Sequence, residues 1–168
     1  KRADPKGNFL KNYNLASLRT LFLAGERADP DTINWAKNLL KIPVIDHWWQ
    51  TESGHVMIGN PWGIEQMPIK VGSPSVPIPG FEIEVLDDNG NILPPNQLGS
   101  IAIKLPLAPG ALTSLWKADD RYLSAYLSKF PGYYETGDAG LKDEDGYMYI
   151  MARTDDVINV AGHRLSTG

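Results

Sequence analysis

Residues 46–54 read DHWWQTESG and place two indole rings beside an amide, a hydroxyl and a carboxylate. A strand buried in a core does not need the polar side chains that follow Trp49, and a solvent-facing loop does not need two tryptophans. Large apolar rings next to a few polar groups are typical of the wall of a small-molecule site. The segment is therefore predicted to line a ligand pocket.

Two more polar segments lie towards the end of the chain. YYETGDAG (133–140) contains Asp138, whose carboxylate can accept two hydrogen bonds from adjacent hydroxyls, as a ribose diol requires. RTDDVINVAGHRL (153–165) contains two arginines, and guanidinium groups suit the paired oxygens of a phosphate. The residue types alone leave a plainer interpretation open, in which Asp138 is a turn residue and the second segment is a solvent-exposed loop with surface ion pairs.

The elements that position the first segment are predicted to form a βαβ unit. The apolar run in LRTLFLAGER (18–27) predicts a strand buried on both faces. ADPDTINWAKNLL (28–40) predicts a helix, with Asp29 as its N-cap and Pro30 at its first position. IPVIDHWW predicts a second strand, parallel to the first. Because the carboxyl ends of parallel strands meet at one edge of the sheet, residues 25–27 and 46–52 are expected to be neighbours.

The chain changes character after residue 60. Many prolines and glycines, the alternating Phe81, Ile83 and Val85, a turn signal at 88–90 and an apolar run at 101–105 predict a small antiparallel sheet or barrel-like subdomain. Residues 116–130 are predicted to be helical, and 146–153 to form a last strand after a turn at 143–146. The fold class is thus α/β, with a βαβ piece of a mostly parallel sheet followed by an antiparallel β subdomain.

Composition excludes several classes of protein. The net charge of -4 gives no general attraction to nucleic acid or to anionic membranes, and the absence of cysteine excludes disulfides, thiol nucleophiles and cysteine metal sites. No apolar run approaches the roughly 20 residues that cross a bilayer, so no membrane insertion is expected. The chain begins at KRADPKG and ends at GHRLSTG directly after a motif, which favours a segment of a longer protein.

Four segments, AGER, DHWWQTESG, YYETGD and RTDDVINVAGHRL, follow the order and approximate spacing seen in the adenylate-forming superfamily. The set most closely resembles the short-chain acyl-CoA synthetases, namely the acetyl- and propionyl-CoA synthetases. The resemblance covers essentially the whole chain and implies a two-step reaction. A carboxylate first attacks the α-phosphate of MgATP to give an acyl-adenylate and pyrophosphate, and the thiol of coenzyme A then displaces AMP. ATP, Mg²⁺ and coenzyme A are the implied cofactors.

The resemblance also implies roles for individual residues. Those assigned to ATP or AMP are Gly25, Glu26, Arg27, Asp46, His47, Trp48, Trp49, Gln50, Thr51, Asp138, Arg153 and Arg164. Residues 25–27 would lie against the adenine, Asp138 would bind the ribose hydroxyls, and Arg153 would bind the ribose and phosphates. Thr51 would reach the phosphates, and Glu52 would face magnesium.

Three more residues match the part of the family that moves between the two half-reactions. Asp155 resembles the hinge about which the C-terminal domain swings, where a residue acts by backbone rotation and not by proton transfer. Ala161 and Gly162 resemble the turn that approaches coenzyme A. Pairing with Arg153 is the alternative interpretation of Asp155.

The resemblance places Trp49 at the acyl pocket, where a flat rigid ring would limit the length of the acid. Each methylene admitted or excluded is worth about 1–3 kcal/mol, so a graded preference for acetate or propionate is expected. Trp48 is predicted to serve packing. The segment IDHWWQTE looks more similar to propionyl- than to acetyl-CoA synthetases and supports propionate weakly, so both acids stay open.

The resemblance predicts three portions: a βαβ part of the AMP-binding domain (1–60), a β-rich subdomain of the same domain (61–152), and the hinge with the start of a C-terminal domain (153–168). The phosphate loop and the catalytic lysine of the family are not found in the sequence. The chain by itself is therefore expected to be inactive.

Two other functions compete with this interpretation. One is a self-contained binding module whose prolines and tryptophans contact a peptide or sugar. The other is a different adenylating enzyme, of the aryl-acid or luciferase-like type, which the tryptophan pair disfavours. The mitochondrial matrix and the cytoplasm are both open as compartments, and the oligomeric state is left open.

Overall fold

The computed structural model describes residues 1–25 and 28–154 in full, and the backbone of 157–160 and 163–166. Three elements of the first half form the parallel unit: β1 (Leu21–Leu23), α1 (Pro30–Leu40) and β2 (Val44–Asp46). Seven strands follow in mostly antiparallel pairing: β3 (Trp48–Trp49), β4 (Val56–Gly59), β5 (Val76–Pro77), β6 (Ile83–Leu86), β7 (Gly99–Lys104), β8 (Tyr133–Lys142) and β9 (Met148–Arg153). Between β7 and β8 lie α2 (Asp119–Tyr122) and a π-helical segment (Leu123–Leu127), and the chain ends with β10 (Val157–Val160) and β11 (His163–Ser166).

The predicted βαβ unit is present. Asp29 caps α1 by accepting a 2.9 Å hydrogen bond from the backbone N–H of Thr32, and Pro30 occupies the first helical position. The strands β1 and β2 pair in parallel with Leu23 opposite Asp46, so both strands end at the same edge. The side chains of Ile33, Ala36 and Val44 form the core between helix and sheet.

The expectation that β1 is buried on both faces is wrong. Phe22 is 54% exposed, whereas Leu21 and Leu23 pack against the core beneath α1. Side chains alternate along a strand, and α1 covers only the face that carries the two leucines. The ring of Phe22 instead packs against the ring of His47 in a T-shaped arrangement, with 5.8 Å between ring centroids.

The second half is built on antiparallel sheets. Strands β3, β4 and β5 form one sheet, and β6, β7, β8 and β9 form a second in that order. The main core lies between them, where Met57 and Ile58 of β4 pack with Phe81, Ile83 and Ile101. The mixture of parallel and antiparallel sheets confirms the predicted fold class.

The helix predicted over residues 116–130 is shorter than expected. Helical structure runs only from Asp119 to Leu127 and changes from α to π after Tyr122. Glycine and proline at 131–132 prevent its continuation beyond Phe130. Among the described residues, no helix has the length and apolar character needed to cross a membrane.

Candidate functional site

A cleft of about 590 Å³ lies where the parallel unit meets the antiparallel sheets, a size that suits a small molecule. Residues from several distant parts of the sequence line it. Those predicted from the sequence are Gly25, Asp46, His47, Trp48, Trp49, Gln50, Thr51, Glu52, Asp138 and Arg153. The cleft therefore brings together segments that are about 90 residues apart along the chain.

Asp46 connects the two strand ends at the rim of the parallel sheet. Its carboxylate accepts a 3.0 Å hydrogen bond from the backbone N–H of His47, and the backbone N–H of Ala28 also favours its charged form. The side chain is almost fully buried, and this burial raises the pKa of Asp46 although both N–H groups lower it. Asp46 thus links the segment that follows β1 to the segment that follows β2.

The side chain of Gln50 crosses the cleft to β8. Its amide nitrogen lies 2.6 Å from Oδ2 of Asp138 and 2.7 Å from the main-chain oxygen of Thr136. The backbone of Gln50 is itself held, since its N–H donates to the hydroxyl of Ser53 at 3.1 Å. The side-chain contacts of Gln50 with Thr136 and Asp138 join the segment after the parallel unit to the four-stranded sheet at the site.

Asp138 sits on β8 opposite Arg153 on β9. Nη1 of Arg153 lies 3.5 Å from Oδ1 of Asp138 and donates to the main-chain oxygen of Thr136 at 3.2 Å. Burial raises the pKa of Asp138, while Arg153 and Gln50 lower it. Asp138 is only 8% exposed, and its carboxylate is held by an arginine on one oxygen and an amide on the other.

Gly137 permits the close approach of Arg153. Its φ of +72° lies in the left-handed region, and a Cβ at this position would be 2.5 Å from Nη2 of Arg153. A side chain there would displace the guanidinium group. The glycine of the YYETGD segment therefore has a direct part in the geometry of the site.

Glu52 enters the cleft from a short 3₁₀ turn (Thr51–Ser53). Oε1 of Glu52 accepts a 3.2 Å hydrogen bond from the hydroxyl of Tyr126, and its main-chain oxygen accepts one from the N–H of Leu112 at 2.7 Å. Tyr126 stacks on Tyr134, with 5.3 Å between centroids and 6° between ring planes. The neighbouring Thr51 is exposed at the rim.

The donor set suits magnesium bound together with a nucleotide. Within residues 1–25 and 28–154 no cluster of three or more acidic or histidine side chains is arranged to hold a metal by itself. Mg²⁺ usually takes one or two carboxylates and completes its coordination with water and substrate phosphates. One carboxylate, that of Glu52, beside the hydroxyl of Thr51 fits this pattern.

The two tryptophans have different environments. Trp48 is partly buried and packs against the main core, while Trp49 is 47% exposed and lines the cleft. The pairing between β3 and β4 shifts by one residue between them, so that Trp48 faces Ile58 and Trp49 faces Val56. Beside them, Nδ1 of His47 is buried and has no hydrogen-bond partner in the described part of the chain.

Several predicted site residues lie outside the described residues. These are Glu26, Arg27, Asp155, Ala161 and Gly162. For Arg164 the backbone belongs to β11, but the side chain is outside the description. Their assigned roles remain predictions.

Sequence reasoning missed one wall of the cleft, formed by Gly72, Pro74, Ile150, Met151 and Ala152. The wall is assembled by long-range contacts, since the backbone N–H of Met148 donates to the oxygen of Ser75 at 2.8 Å. The glycine and proline in KVGSPSVP were a signal for a turn, but not for its position.

Lys70 holds this wall against the β8–β9 turn. Its Nζ lies 2.6 Å from Oδ2 of Asp143 and 2.7 Å from Oδ2 of Asp145, and it stands 4.3 Å from the centroid of the Tyr147 ring. Hydrogen bonds to both carboxylates raise the pKa of Lys70, so the lysine stays charged.

Comparison with known proteins adds to this geometry. The model of the AMP-binding enzyme family matches residues 2–110, which is more than half of the chain. The chain belongs to the AMP-binding enzyme family. The resemblance to short-chain acyl-CoA synthetases noted from the motifs is confirmed by its relatives.

Two of these relatives are curated proteins. The human mitochondrial acyl-CoA synthetase short-chain family member 3 is 47% identical over 169 residues, covering 100% of this chain and 25% of the relative. Propionate–CoA ligase of Escherichia coli is 42% identical over 160 residues, covering 94% of this chain and 26% of the ligase. The chain thus spans about a quarter of the length of the curated relatives it matches.

A solved structure shows the same fold. The crystal structure of the anthranilate CoA ligase AuaEII in complex with anthranoyl-AMP superposes with a TM-score of 0.78 at 26% identity, covering 98% of this chain and 30% of that one. The chain therefore has the backbone arrangement of part of the AuaEII ligase.

Proposed function

We propose that the protein to which this chain belongs is an ATP-dependent short-chain acyl-CoA synthetase that activates acids of acetate or propionate size. The observation that carries the proposal is the cleft in which Asp138, fixed by Gln50 and Arg153, lies together with Trp49 and Glu52. The cleft would thus offer an acceptor for the ribose hydroxyls, an apolar ring for the acyl group and a carboxylate for magnesium, which together suit an acyl-adenylate complex. The names of the human and E. coli relatives support the acyl-CoA ligase class.

Some residues of the chain would bind the nucleotide, and Trp49 would contact the acid. The ionised carboxylate of Asp138 would accept hydrogen bonds from the ribose hydroxyls, and the guanidinium of Arg153 would face the ribose and phosphates. Trp49 would exclude water and limit the acid's length. Residues 25–27 would contact the adenine, and Thr51 would reach the phosphates.

Glu52 would hold magnesium with the nucleotide. When bound, magnesium would neutralise charge on the phosphate oxygens while the acid's carboxylate attacks the α-phosphate. Ala161 and Gly162 would approach coenzyme A in the second half-reaction, and Asp155 would act as the hinge. The division into portions 1–60, 61–152 and 153–168 is part of the same proposal.

The compartment and the inactivity of the isolated chain also belong to the proposal. The human relative is described as mitochondrial and another relative is bacterial. The proposed compartment is therefore the mitochondrial matrix or the cytoplasm. Neither a phosphate loop nor the family's catalytic lysine is found in the sequence, which is why this chain alone is proposed not to turn over.

The decisive experiment is ATP–pyrophosphate exchange by the full-length protein, run with unbranched acids of two to six carbons and with anthranilate. Exchange that depends on a two- or three-carbon acid and declines with chain length is expected. Exchange with anthranilate alone would favour an aryl-acid ligase, as AuaEII is described. No acid-dependent exchange at all would refute the proposal.

A further inference from the structure

The amide of Gln50 is committed to the protein's own oxygens. The main-chain oxygen of Thr136 and Oδ2 of Asp138 are both hydrogen-bond acceptors, at 2.7 and 2.6 Å. Only the NH₂ group can face two acceptors, so the orientation of the amide follows from its partners. Both of its hydrogens are then used before a nucleotide enters the cleft.

These bonds determine which way the carboxylate of Asp138 faces. One oxygen is held by the amide of Gln50, and the other lies 3.5 Å from the guanidinium of Arg153. The backbone of Asp138 is also fixed, because its N–H donates to the hydroxyl of Thr136, which in turn donates to the main-chain oxygen of Ile101 at 2.7 Å. Without Gln50 the buried carboxylate would lose a charge-assisted bond and the contact that sets its rotation.

We propose that Gln50 is a positioning residue, which holds the carboxylate of Asp138 in the orientation that a ribose diol requires, and that it is not a nucleotide contact. The inference rests on the proposed function, because it assumes that Asp138 receives the ribose hydroxyls. It predicts that Gln50 acts on nucleotide affinity only through those hydroxyls.

The test compares AMP with 2′,3′-dideoxy-AMP, measured by calorimetry on the full-length protein. In the unmodified protein AMP is expected to bind about tenfold or more tightly than the dideoxy nucleotide, since a hydrogen bond to a charged group contributes about 1.5–3 kcal/mol. Gln50→Met keeps the side-chain length and removes the donors. It is expected to weaken AMP about tenfold and to leave dideoxy-AMP unchanged.

The control is Gln97→Met, the same change at an exposed position away from the cleft, which is expected to alter neither affinity. If Gln50→Met does not fold, Gln50→Asn, which shortens the reach to both oxygens, is expected to show the same selective loss. An equal loss for both nucleotides would overturn the positioning role. An unmodified protein that binds AMP without preferring the diol would instead refute the ribose assignment of Asp138 in the proposed function.

Discussion

At the scale of single residues, the carboxylate of Asp138 opposes folding while it serves binding. Burial raises the pKa of Asp138, and so does the nearby carboxylate of Glu52. Arg153 and Gln50, on neighbouring elements, lower it. Because its pKa in the folded protein lies above the unfolded value of about 3.9, the folded state keeps a proton that the unfolded chain has released between these two values. The free energy of unfolding should therefore fall as pH rises through that interval.

Binding should depend on pH in the opposite sense. In the proposed function the ribose of AMP binds the ionised carboxylate, so the affinity for AMP should fall as pH drops through the raised pKa of Asp138. Asp138→Asn should remove both dependences, leaving the protein at least as stable at neutral pH but with AMP affinity reduced about tenfold or more. Thermal unfolding and AMP titration at several pH values measure the two effects, and a variant that is less stable at neutral pH would contradict the account.

Trp49 is the residue predicted to limit the acid. Trp49→Gly should open the cleft and move the preference in the exchange assay from two or three carbons towards five or six. Each methylene is worth about 1–3 kcal/mol, or about 10- to 200-fold, so the rate with the five-carbon acid relative to the three-carbon acid should rise by at least one to two orders of magnitude. The matched variant Trp116→Gly, which removes an indole that is 89% exposed, should leave the preference unaltered. An unchanged preference after Trp49→Gly would remove the indole from the acyl pocket.

At the scale of elements, the helical segment from Asp119 to Leu127 supports Glu52 through Tyr126. Tyr126→Phe removes the hydroxyl that donates to Glu52 and keeps the ring that stacks on Tyr134. The magnesium concentration for half-maximal exchange should rise about three- to tenfold, as expected for one hydrogen bond to a partly solvated charge.

A second readout separates this effect from general damage. Electron paramagnetic resonance measures Mn²⁺ binding in the presence of ATP. In Tyr126→Phe this binding should weaken in parallel with the activity. Tyr122 lies on the same helical segment, and its hydroxyl donates to the main-chain oxygen of Leu112. Tyr122→Phe removes that hydroxyl and should leave metal affinity near that of the unmodified protein. Weakening by both variants to the same extent would argue against a specific role for Tyr126.

The position of the Arg153 side chain beside β8 depends on Gly137. Gly137→Ala places a side chain at φ +72° and against the guanidinium of Arg153. The backbone strain should lower the free energy of unfolding by about 1–2 kcal/mol, and the displaced arginine should weaken AMP binding. Gly146→Ala, at φ +84° in the β8–β9 turn with nothing within 4 Å, carries the same strain without the collision. Chemical denaturation should show similar losses for both variants, and calorimetry should show weaker AMP binding for Gly137→Ala alone.

At the scale of the whole molecule, Lys70 connects the loop that carries Gly72 and Pro74 to the β8–β9 turn. Lys70→Met should lower the midpoint of thermal unfolding, and the difference should shrink as salt screens the ion pairs. Lys104→Met breaks an ion pair with Glu82 in which both side chains are more than half exposed, and it should have a smaller effect. A salt-independent loss in Lys70→Met would assign the effect to packing on Tyr147 instead of charge.

How much the sequence predicts depends on the range of the interactions involved. The start of α1 follows from Asp29 and Pro30, since a cap acts within four residues, and the turn at 143–146 follows from local residues as well. The meeting of Gln50 with Asp138 spans 88 positions and was expected only from family resemblance. The exposure of Phe22 depends on what covers the sheet, and the wall of Gly72 and Pro74 depends on Lys70, so local patterns could not predict either.

Under the role proposed for Trp49, the shifted pairing of β3 with β4 would make acid length depend on the alignment of the two strands as well as on ring size. Three residues of β4, from Val56 to Ile58, stand opposite the two tryptophans. Because successive side chains of a strand point to opposite faces, loss of one residue from β4 would restore regular pairing and exchange the faces of the β4 side chains on one side of the deletion. Insertions and deletions in β4 would therefore change which side chains pack beside the indole without replacing the indole itself.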